Sequence, residues 1–163
     1  MKIRTYGDPV LRRAAAPVDA IDDETRRICQ RMVEEMIRAD GVGLAAPQIG
    51  ISKRIIVLDV DGAFHVLINP KLVETSEETE SFSEGCLSVP GVHADVVRSA
   101  EATITGTDLD GKTVTIHGEG ILARAIQHEI DHLNGHLFLD HLSPVRRQGL
   151  LKEYGRTRRE TEA

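Results

Sequence analysis

The sequence predicts an α+β fold, in which mostly antiparallel β-sheets pack around a central histidine-bearing helix, with a further helix near each end of the chain. Three observations predict it: a helix-like apolar pattern at residues 25–39, hairpin signals in the middle, and two helical patterns after residue 120. Helices and strands that occupy separate parts of a chain are typical of this class. A length of 163 residues suits a single domain, which we expect to span residues 1–163.

Charge and composition exclude several classes of protein. The net charge is -6, and phosphate binding needs clustered Lys and Arg in surplus, so a main role in binding DNA is not expected. The N-terminal stretch MKIRTYGDPVLRR contains no apolar signal segment, and no apolar run in the sequence is long enough to span a bilayer. Two cysteines do not make a disulfide framework. We therefore expect a cytoplasmic protein with no membrane partner.

The first helix is predicted at residues 25–39, where apolar side chains recur every three or four positions. Cys29 lies on this apolar face and is expected to fill the core. The face comprises Ile28, Cys29, Met32, Val33, Met36 and Ile37. Cys86 is different, because it lies among turn-forming residues in SEGCLSVPG, outside any periodic run. Packing alone does not account for that thiol, so we expect it to have a chemical role.

Strands are predicted in the middle of the chain. Residues 54–60 and 64–68 alternate and are joined by a DG dipeptide, which favours a type I′ hairpin turn. A second hairpin, at residues 102–118, turns at another DG, and an extended stretch covers about 92–98. The acidic segment VETSEETESFSEG, at residues 73–85, is interpreted as a solvated loop or a sheet edge.

The central helix is predicted at about residues 120–137 and contains HEIDH. His128 and His132 lie one turn apart on the same face, so their imidazoles can reach one cation at about 2 Å each. Glu129 projects beside that cation, as a general base for an attacking water must. The two histidines share their face with Ile121 and Ala125, which indicates that the imidazoles point into the protein. An isolated HExxH also occurs by accident, so a metal site requires a further ligand elsewhere in the sequence.

The residues alone leave the third ligand open. A metzincin would have histidine at position 138, where this chain has Phe138, so that class is excluded. His136 follows on the same helix but stands a further turn away, too far for a compact tetrahedral site. Glu153 has a spacing that a thermolysin-like enzyme could use, although it falls in a basic, solvent-facing helix. Cys86 remains as a thiolate presented from a loop.

The segment GVGLAAPQ at residues 41–48 predicts by itself a Gly-rich loop and a tight AAP turn; it is not a phosphate-binding loop, since it lacks the GKS/T ending. Together with EGCLS at residues 84–88 and HEIDHLNG at residues 128–135, it resembles, in order and rough spacing, the three motifs of the peptide deformylase family. The opening YGDPVLRRAAAPV is also similar, so the resemblance covers nearly the whole chain. It implies a hydrolase that removes the formyl group of N-terminal N-formylmethionine from new polypeptides and releases formate.

The resemblance also implies roles for individual residues. Cys86, His128 and His132 would bind one divalent metal ion, Fe²⁺ in the cell, with Zn²⁺ or Ni²⁺ able to occupy the same ligands. Glu129 would be the general base, while the Gln48 side-chain amide and the backbone N–H of Leu87 would donate to the oxygen of the reacting carbonyl. Substrate-binding residues would be Gly41 and Gly43, which pair with an extended peptide, and Val42, Glu84, Ile121 and Ala125, which line a methionine pocket.

Two further expectations concern Glu84 and His93. Glu84 could instead orient a metal ligand from behind. His93 stands near the place where some family members carry an arginine that helps to hold substrate, so the substrate contacts there are open. His65, His117 and His141 are interpreted as ordinary polar residues.

A C-terminal helix is predicted after Ser143, which can cap it, and Pro144, which suits its first turn. The segment from residue 143 onward contains six Lys and Arg residues and three Glu residues, so its charge is +3, whereas the whole chain has a net charge of -6. The family offers a precedent for docking such a helix on the ribosome. A solvated helix whose charge balances an acidic body is the alternative.

Two rival functions stay open at this level. One is an HExxH metallopeptidase with Glu153 as third ligand, which would retain activity after Cys86→Ser. The other is a non-catalytic, ribosome-associated module that keeps the metal only for folding. Glu129 and Gln48 oppose the second, because a structural metal site needs neither a base nor an oxyanion donor.

Overall fold

The structure is a computed structural model that describes residues 2–162, with side chains through residue 160. The helices are α1 Asp23–Arg38, α2 Gly120–Leu133 and α3 Pro144–Glu162. The strands are β1 Gly43–Ala45, β2 Ile55–Val60, β3 Ala63–Thr75, β4 Thr79–Cys86, β5 Val89–Ser99, β6 Glu101–Thr107 and β7 Thr113–Glu119. The α+β prediction is therefore confirmed. Met1 and Ala163, which belong to the predicted domain, lie outside the described residues.

The strands form two antiparallel sheets. The larger sheet has the order β1-β2-β3-β6-β7, so β1 and β7 are its edges, and β4 pairs with β5 in a separate hairpin. Both predicted DG turns are present, between β2 and β3 and between β6 and β7. Of the two interpretations of the acidic segment, the edge is correct over its second half, because residues 79–85 lie in β4.

Strand β2 is buried on both faces, and this explains how the layers are arranged. Its side chains alternate, so Ile55 and Val57 face α1 while Ile56 and Leu58 face α2. Cys29 is 1% exposed within the α1 cluster, and burial raises its pKa to about 11, which confirms it as core filling. The helix α2 thus lies against the large sheet. A third apolar cluster is formed by the β4–β5 hairpin, by residues 137–142 and by α3.

Several boundaries differ from the predictions. Residues 43–45, predicted as loop, form the short strand β1. A strand of three residues is too short to show the alternating pattern from which strands are predicted. Ile37, predicted on the apolar face of α1, is 66% exposed and lies in the last turn of that helix. The end of α2 was predicted too late: it stops at Leu133, since Gly135 adopts a φ of +80°.

Helix α3 begins as predicted, with the Ser143 hydroxyl accepting the N–H of Arg146 at 3.3 Å and Pro144 as first residue. It is packed on the body of the protein, since Leu150 and Tyr154 are both buried. Among the described residues, no helix is long and apolar enough to cross a membrane.

Candidate metal centre

Helix α2 and the turn between β4 and β5 bring three metal-binding side chains together. The Sγ of Cys86 lies 3.3 Å from Nε2 of His132, which lies 3.2 Å from Nε2 of His128. A tetrahedral ion with bonds of about 2.0–2.3 Å holds its ligand atoms about 3.3–3.6 Å apart, close to these separations. The imidazoles are buried, as predicted, with His128 9% and His132 1% exposed. The cluster therefore fits a divalent metal ion.

The two imidazoles influence the ionisation of the Cys86 thiol. Burial alone would raise the pKa of Cys86, but the positive charges of His132 and His128 hold the pKa of that thiol well below its usual value. A thiol with a lowered pKa supplies the thiolate that a metal ion needs as ligand. The surroundings of Cys86 thus favour the state in which it can bind metal.

Glu84 lies behind His128 and fixes its orientation. The imidazole Nδ1 lies 2.6 Å from Oε1 of Glu84, so Nδ1–H donates to the carboxylate and leaves Nε2 free to face the cluster. Burial would raise the pKa of Glu84, but hydrogen bonds from His128 and Arg98 outweigh burial and lower it. Glu84 also lines the cavity beside the cluster, yet its carboxylate is directed at His128 and at arginines. This contact supports the expectation that Glu84 orients a ligand.

Two arginines hold Glu84, and the sequence reasoning missed both. Arg98 of β5, which is 5% exposed, donates Nη2–H to Oε1 of Glu84 at 2.7 Å, and Arg124 of α2 donates Nη1–H to Oε2 at 2.9 Å. Arg98 also binds Asp131 at 2.9 Å, and Asp131 contacts His141 Nε2 at 2.8 Å. No local pattern marks these side chains, because their partners come from other elements.

Glu129 is buried beside the cluster. It is 4% exposed, and its Oε1 has no hydrogen-bond partner among the described residues. Burial raises its pKa, against the lowering effect of His128 and His132. A Cβ added to Gly43 would lie 2.6 Å from Oε2 of Glu129, so a residue without a side chain is needed where β1 passes this carboxylate.

The two expected oxyanion donors lie next to the cluster. Gln48 is 2% exposed; its Oε1 accepts the N–H of Ala45 at 2.9 Å, and its Nε2 lies 3.7 Å from Sγ of Cys86. Leu87 follows Cys86 in the two-residue turn between β4 and β5 and lines the same cavity.

A cavity of about 430 Å³ opens in front of the cluster. The predicted site residues that line it are Val42, Gly43, Gln48, Glu84, Cys86, Leu87, Ile121, Ala125, His128 and Glu129. His132 and Gly41 are not among the residues that line it; a Cβ added to Gly41 would lie 2.9 Å from Cδ1 of Leu87. Val42 and Ile121 are 49% and 61% exposed and give the cavity apolar edges. His93 also lines the cavity.

Glu153 is not part of this site. Among the described residues, the donor groups that gather within 4.8 Å of one another around these histidines are Cys86, His128 and His132. Glu153 lies exposed on α3, beside Lys152 and Arg156. The third-ligand role required by the metallopeptidase alternative therefore has no geometric support.

A half-buried cysteine and two buried histidines that fit a divalent ion, with a buried glutamate beside them at a cavity, define the class of metal-dependent hydrolases. Comparison with known proteins identifies the family. The family model for polypeptide deformylase matches residues 1–148. A peptide deformylase of Halothermothrix orenii is 54% identical over 142 residues, which are 86% of this chain and 92% of that protein.

Solved structures agree with the sequence comparison. A peptide deformylase from Legionella pneumophila superposes with a TM-score of 0.94 at 42% identity, over 99% of this chain and 96% of the other. A peptide deformylase from Synechococcus elongatus, in complex with actinonin, superposes with a TM-score of 0.90 at 44% identity, over 95% of this chain and 86% of the other. The chain belongs to the polypeptide deformylase family, and its activity is the removal of the N-formyl group from nascent peptides. The alternative of a non-catalytic module is thereby wrong.

Proposed function

We propose that one catalytic domain spanning residues 1–163 performs this reaction with a divalent ion held by Cys86, His128 and His132. The observation that carries the proposal is that these three donors gather within 4.8 Å of one another at the cavity, with Nδ1 of His128 bound to Glu84 so that Nε2 faces the other two. Fe²⁺ is the proposed ion in the cell, with Zn²⁺ and Ni²⁺ as substitutes, because thiolate and imidazole ligands suit all three. Such an ion supplies Lewis acidity, which polarises a carbonyl and lowers the pKa of a water molecule.

Glu129 is the proposed general base and acid. Its carboxylate takes a proton from the water that attacks the formyl carbon, and it then transfers that proton to the departing amine. The C–N bond of the formamide breaks, which leaves formate and a free N-terminal methionine. The unpartnered Oε1 of Glu129 supports this role, because no residue of the described chain already occupies it.

Gln48 and Leu87 are the proposed donors to the oxygen that becomes negatively charged. The Nε2 of Gln48 and the turn that contains Leu87 border the same cavity as the cluster. A preorganised donor of this kind is worth about 3 kcal/mol in the transition state.

The formylated peptide is proposed to lie along β1. This strand is an edge of the large sheet, so its outer side can pair with an extended chain, and the glycines at 41 and 43 allow close approach. Val42, Ile121, Ala125 and the stem of Glu84 are proposed to contact the methionine side chain. Their support is that all four line the cavity in front of the metal cluster.

The deciding experiment is formate release from formyl-Met-Ala-Ser by anaerobically prepared protein loaded with Fe²⁺ or Ni²⁺. Wild type should release formate and Glu129→Ala should not, while Glu153→Ala, a glutamate outside the cavity, serves as matched control and should match wild type. Loss of activity in Glu153→Ala with retention in Glu129→Ala would reverse the roles. Absence of release from folded, metal-loaded wild type would overturn the proposal as a whole.

Actinonin, which occupies the Synechococcus elongatus relative, is proposed to bind this cavity too. It should raise the melting temperature of the metal-loaded wild type. It should have little effect on a Cys86→Ala variant, because the ion that anchors the site is then lost.

Docking to the ribosome is proposed for the basic side of α3, and the cytoplasm, where nascent chains emerge, is the proposed location. Arg146 and Arg147 already bind backbone carbonyls of Asp95 and Leu139. The side chains left for an RNA surface include Lys152, Arg156 and Arg159, which lie together beside Gly149.

The docking test is reversal of those three charges, not removal of the helix, because deleting residues from 147 onward would also remove the buried Leu150 and Tyr154. The combined variant K152E, R156E and R159E should lose co-sedimentation with ribosomes at moderate salt and keep its activity on the tripeptide. Unchanged co-sedimentation would exclude docking through this surface.

A further inference from the structure

Ser88 is a buried polar residue to which neither the motif nor the proposed mechanism has given a task. It is 0% exposed and follows Leu87 in the turn that joins β4 to β5. A buried hydroxyl is costly unless it makes hydrogen bonds, so the contacts of Ser88 indicate what it does.

The polar groups of Ser88 form hydrogen bonds with three other residues. Its Oγ accepts a hydrogen bond from Nε2 of Gln48 at 3.1 Å. Its backbone N–H donates to Sγ of Cys86 at 3.4 Å, and its carbonyl accepts the N–H of Tyr6 at 2.8 Å. The backbone contacts hold the turn in place, and the hydroxyl alone acts on Gln48.

The hydroxyl matters because the amide of Gln48 must present one specific N–H to the reacting oxygen. The carbonyl end of this amide is held by the N–H of Ala45 at 2.9 Å. The NH₂ end has two hydrogens in a plane, and when Ser88 accepts one, the other is directed away from Ser88. That second N–H donates to Sγ of Cys86 at 3.7 Å, a long hydrogen bond that directs it toward the metal cluster.

We propose that Ser88 is a positioning residue, whose hydroxyl holds the Gln48 amide so that its second N–H is aimed at the oxyanion. The proposal rests on the proposed role of Gln48 as oxyanion donor. Without the hydroxyl, the amide keeps its short hydrogen bond to Ala45 and only the long one to Cys86, so its NH₂ end is held less firmly and the donor is less well preorganised. Preorganisation is what gives such donors their effect, because a donor that must reorient contributes less in the transition state.

The test compares Ser88→Ala with wild type on formyl-Met-Ala-Ser, with metal content and melting temperature measured in parallel. All variants keep the backbone N–H that binds Cys86, so the metal content should not change. We expect kcat to fall about tenfold with KM within about twofold, since a donor used mainly in the transition state affects kcat. Ser81→Ala, an exposed serine of β4 outside the cavity, is the matched control and should match wild type.

A double-mutant cycle with Gln48→Ala separates the inference from its basis. In the Gln48→Ala background, Ser88→Ala should change kcat by less than about twofold, because the group that Ser88 positions is gone. Ser88→Thr, which keeps the hydroxyl, should retain most of kcat; Ser88→Gly replaces Ser88→Ala if the latter does not fold.

The outcomes are distinct. Independent, multiplicative effects in the cycle, an unchanged kcat in Ser88→Ala, or equal losses in the Thr and Ala variants would overturn the role of Ser88 while leaving the reaction intact. An unchanged kcat in Gln48→Ala would overturn the oxyanion role of Gln48, and with it the positioning role. Absence of formate release by wild type would overturn the proposed function itself.

Discussion

In the part of the chain that the structure describes, two groups of side chains bring three metal-binding atoms within 4.8 Å of one another, and they differ in almost everything else. The first is the buried cluster of Cys86, His128 and His132. The second, on neighbouring strands β6 and β7, consists of Glu101, His117 and Glu119, whose side chains are 44%, 54% and 73% exposed.

The two clusters use their histidines differently. In the buried cluster, His128 binds Glu84 through Nδ1, and its Nε2 faces the other ligands. In the exposed group, Nδ1 of His117 contacts Oγ1 of Thr103 at 2.9 Å and Nε2 contacts Glu101 at 3.1 Å, so both nitrogens are already occupied. Proximity of donors is therefore a poor criterion for a metal site unless the groups behind the donors leave a lone pair directed inward.

The largest effect is expected from Cys86→Ala. Removal of the thiolate leaves two imidazoles, so the ion should be lost and formate release should fall at least about 1000-fold. Metal analysis after gel filtration and a formate assay measure both. His117→Ala, which removes the histidine of the exposed group, is the control for any metal bound elsewhere. Full metal occupancy in Cys86→Ala would assign the ion to another site.

A smaller loss is expected from Gly43→Ala. The new Cβ would lie 2.6 Å from Oε2 of Glu129, so the carboxylate must move; the three atoms nearest to that Cβ all belong to Glu129. We expect kcat to fall about 100-fold at unchanged metal content, because small misplacements of a catalytic group have effects of this size. A crystal structure of the variant should show the displaced carboxylate. A kcat equal to that of wild type would mean that β1 shifts to accommodate the methyl group without displacing Glu129.

Glu84→Gln tests the group behind the ligand. We expect metal affinity to fall about 10- to 100-fold, as for other contacts that orient a ligand. Stability should fall as well, by about 2 kcal/mol, because the buried Arg98 loses one of its two charged partners and keeps only Asp131. Competition with a chelator gives the affinity, and urea unfolding gives the free energy. Glu101→Gln, the equivalent change in the exposed group, should alter neither quantity appreciably.

The smallest effect is expected from His117→Ala. Its contacts with Thr103 and Glu101 are exposed to solvent, so the free energy of unfolding should change by less than about 1 kcal/mol. Titration with Zn²⁺ should give one tight equivalent per chain in both wild type and variant. A second tight equivalent that disappears in the variant would show that the exposed group binds metal after all.

The sequence predicted those parts of the molecule in which partners are close along the chain. The i, i+4 spacing of His128 and His132 indicated a pair of ligands, and the two DG dipeptides located hairpins that the structure contains. Cys86 was selected by the resemblance, because it lies more than 40 residues from the histidines and no local pattern joins them.

The parts that could not be predicted depend on tertiary contacts. Arg98 and Arg124 were not recognised, because what makes them important is a carboxylate on another element. Ser88 was overlooked for the same reason, since its partner Gln48 lies 40 residues away. The end of α2 was misplaced because an apolar residue at position 137 continued the pattern beyond the glycine that stops the helix.

The β4–β5 hairpin carries a consequence for engineering and for evolution. This one hairpin contains the metal ligand Cys86. It also contains Glu84, which orients the ligand His128, and Arg98, which binds Glu84. It also carries Ser88 in its turn. Residues 79–99 therefore act as one unit. Exchange of the whole hairpin between relatives should transfer Glu84, Cys86, Ser88 and Arg98 together, whereas exchange of single positions would separate side chains that depend on one another.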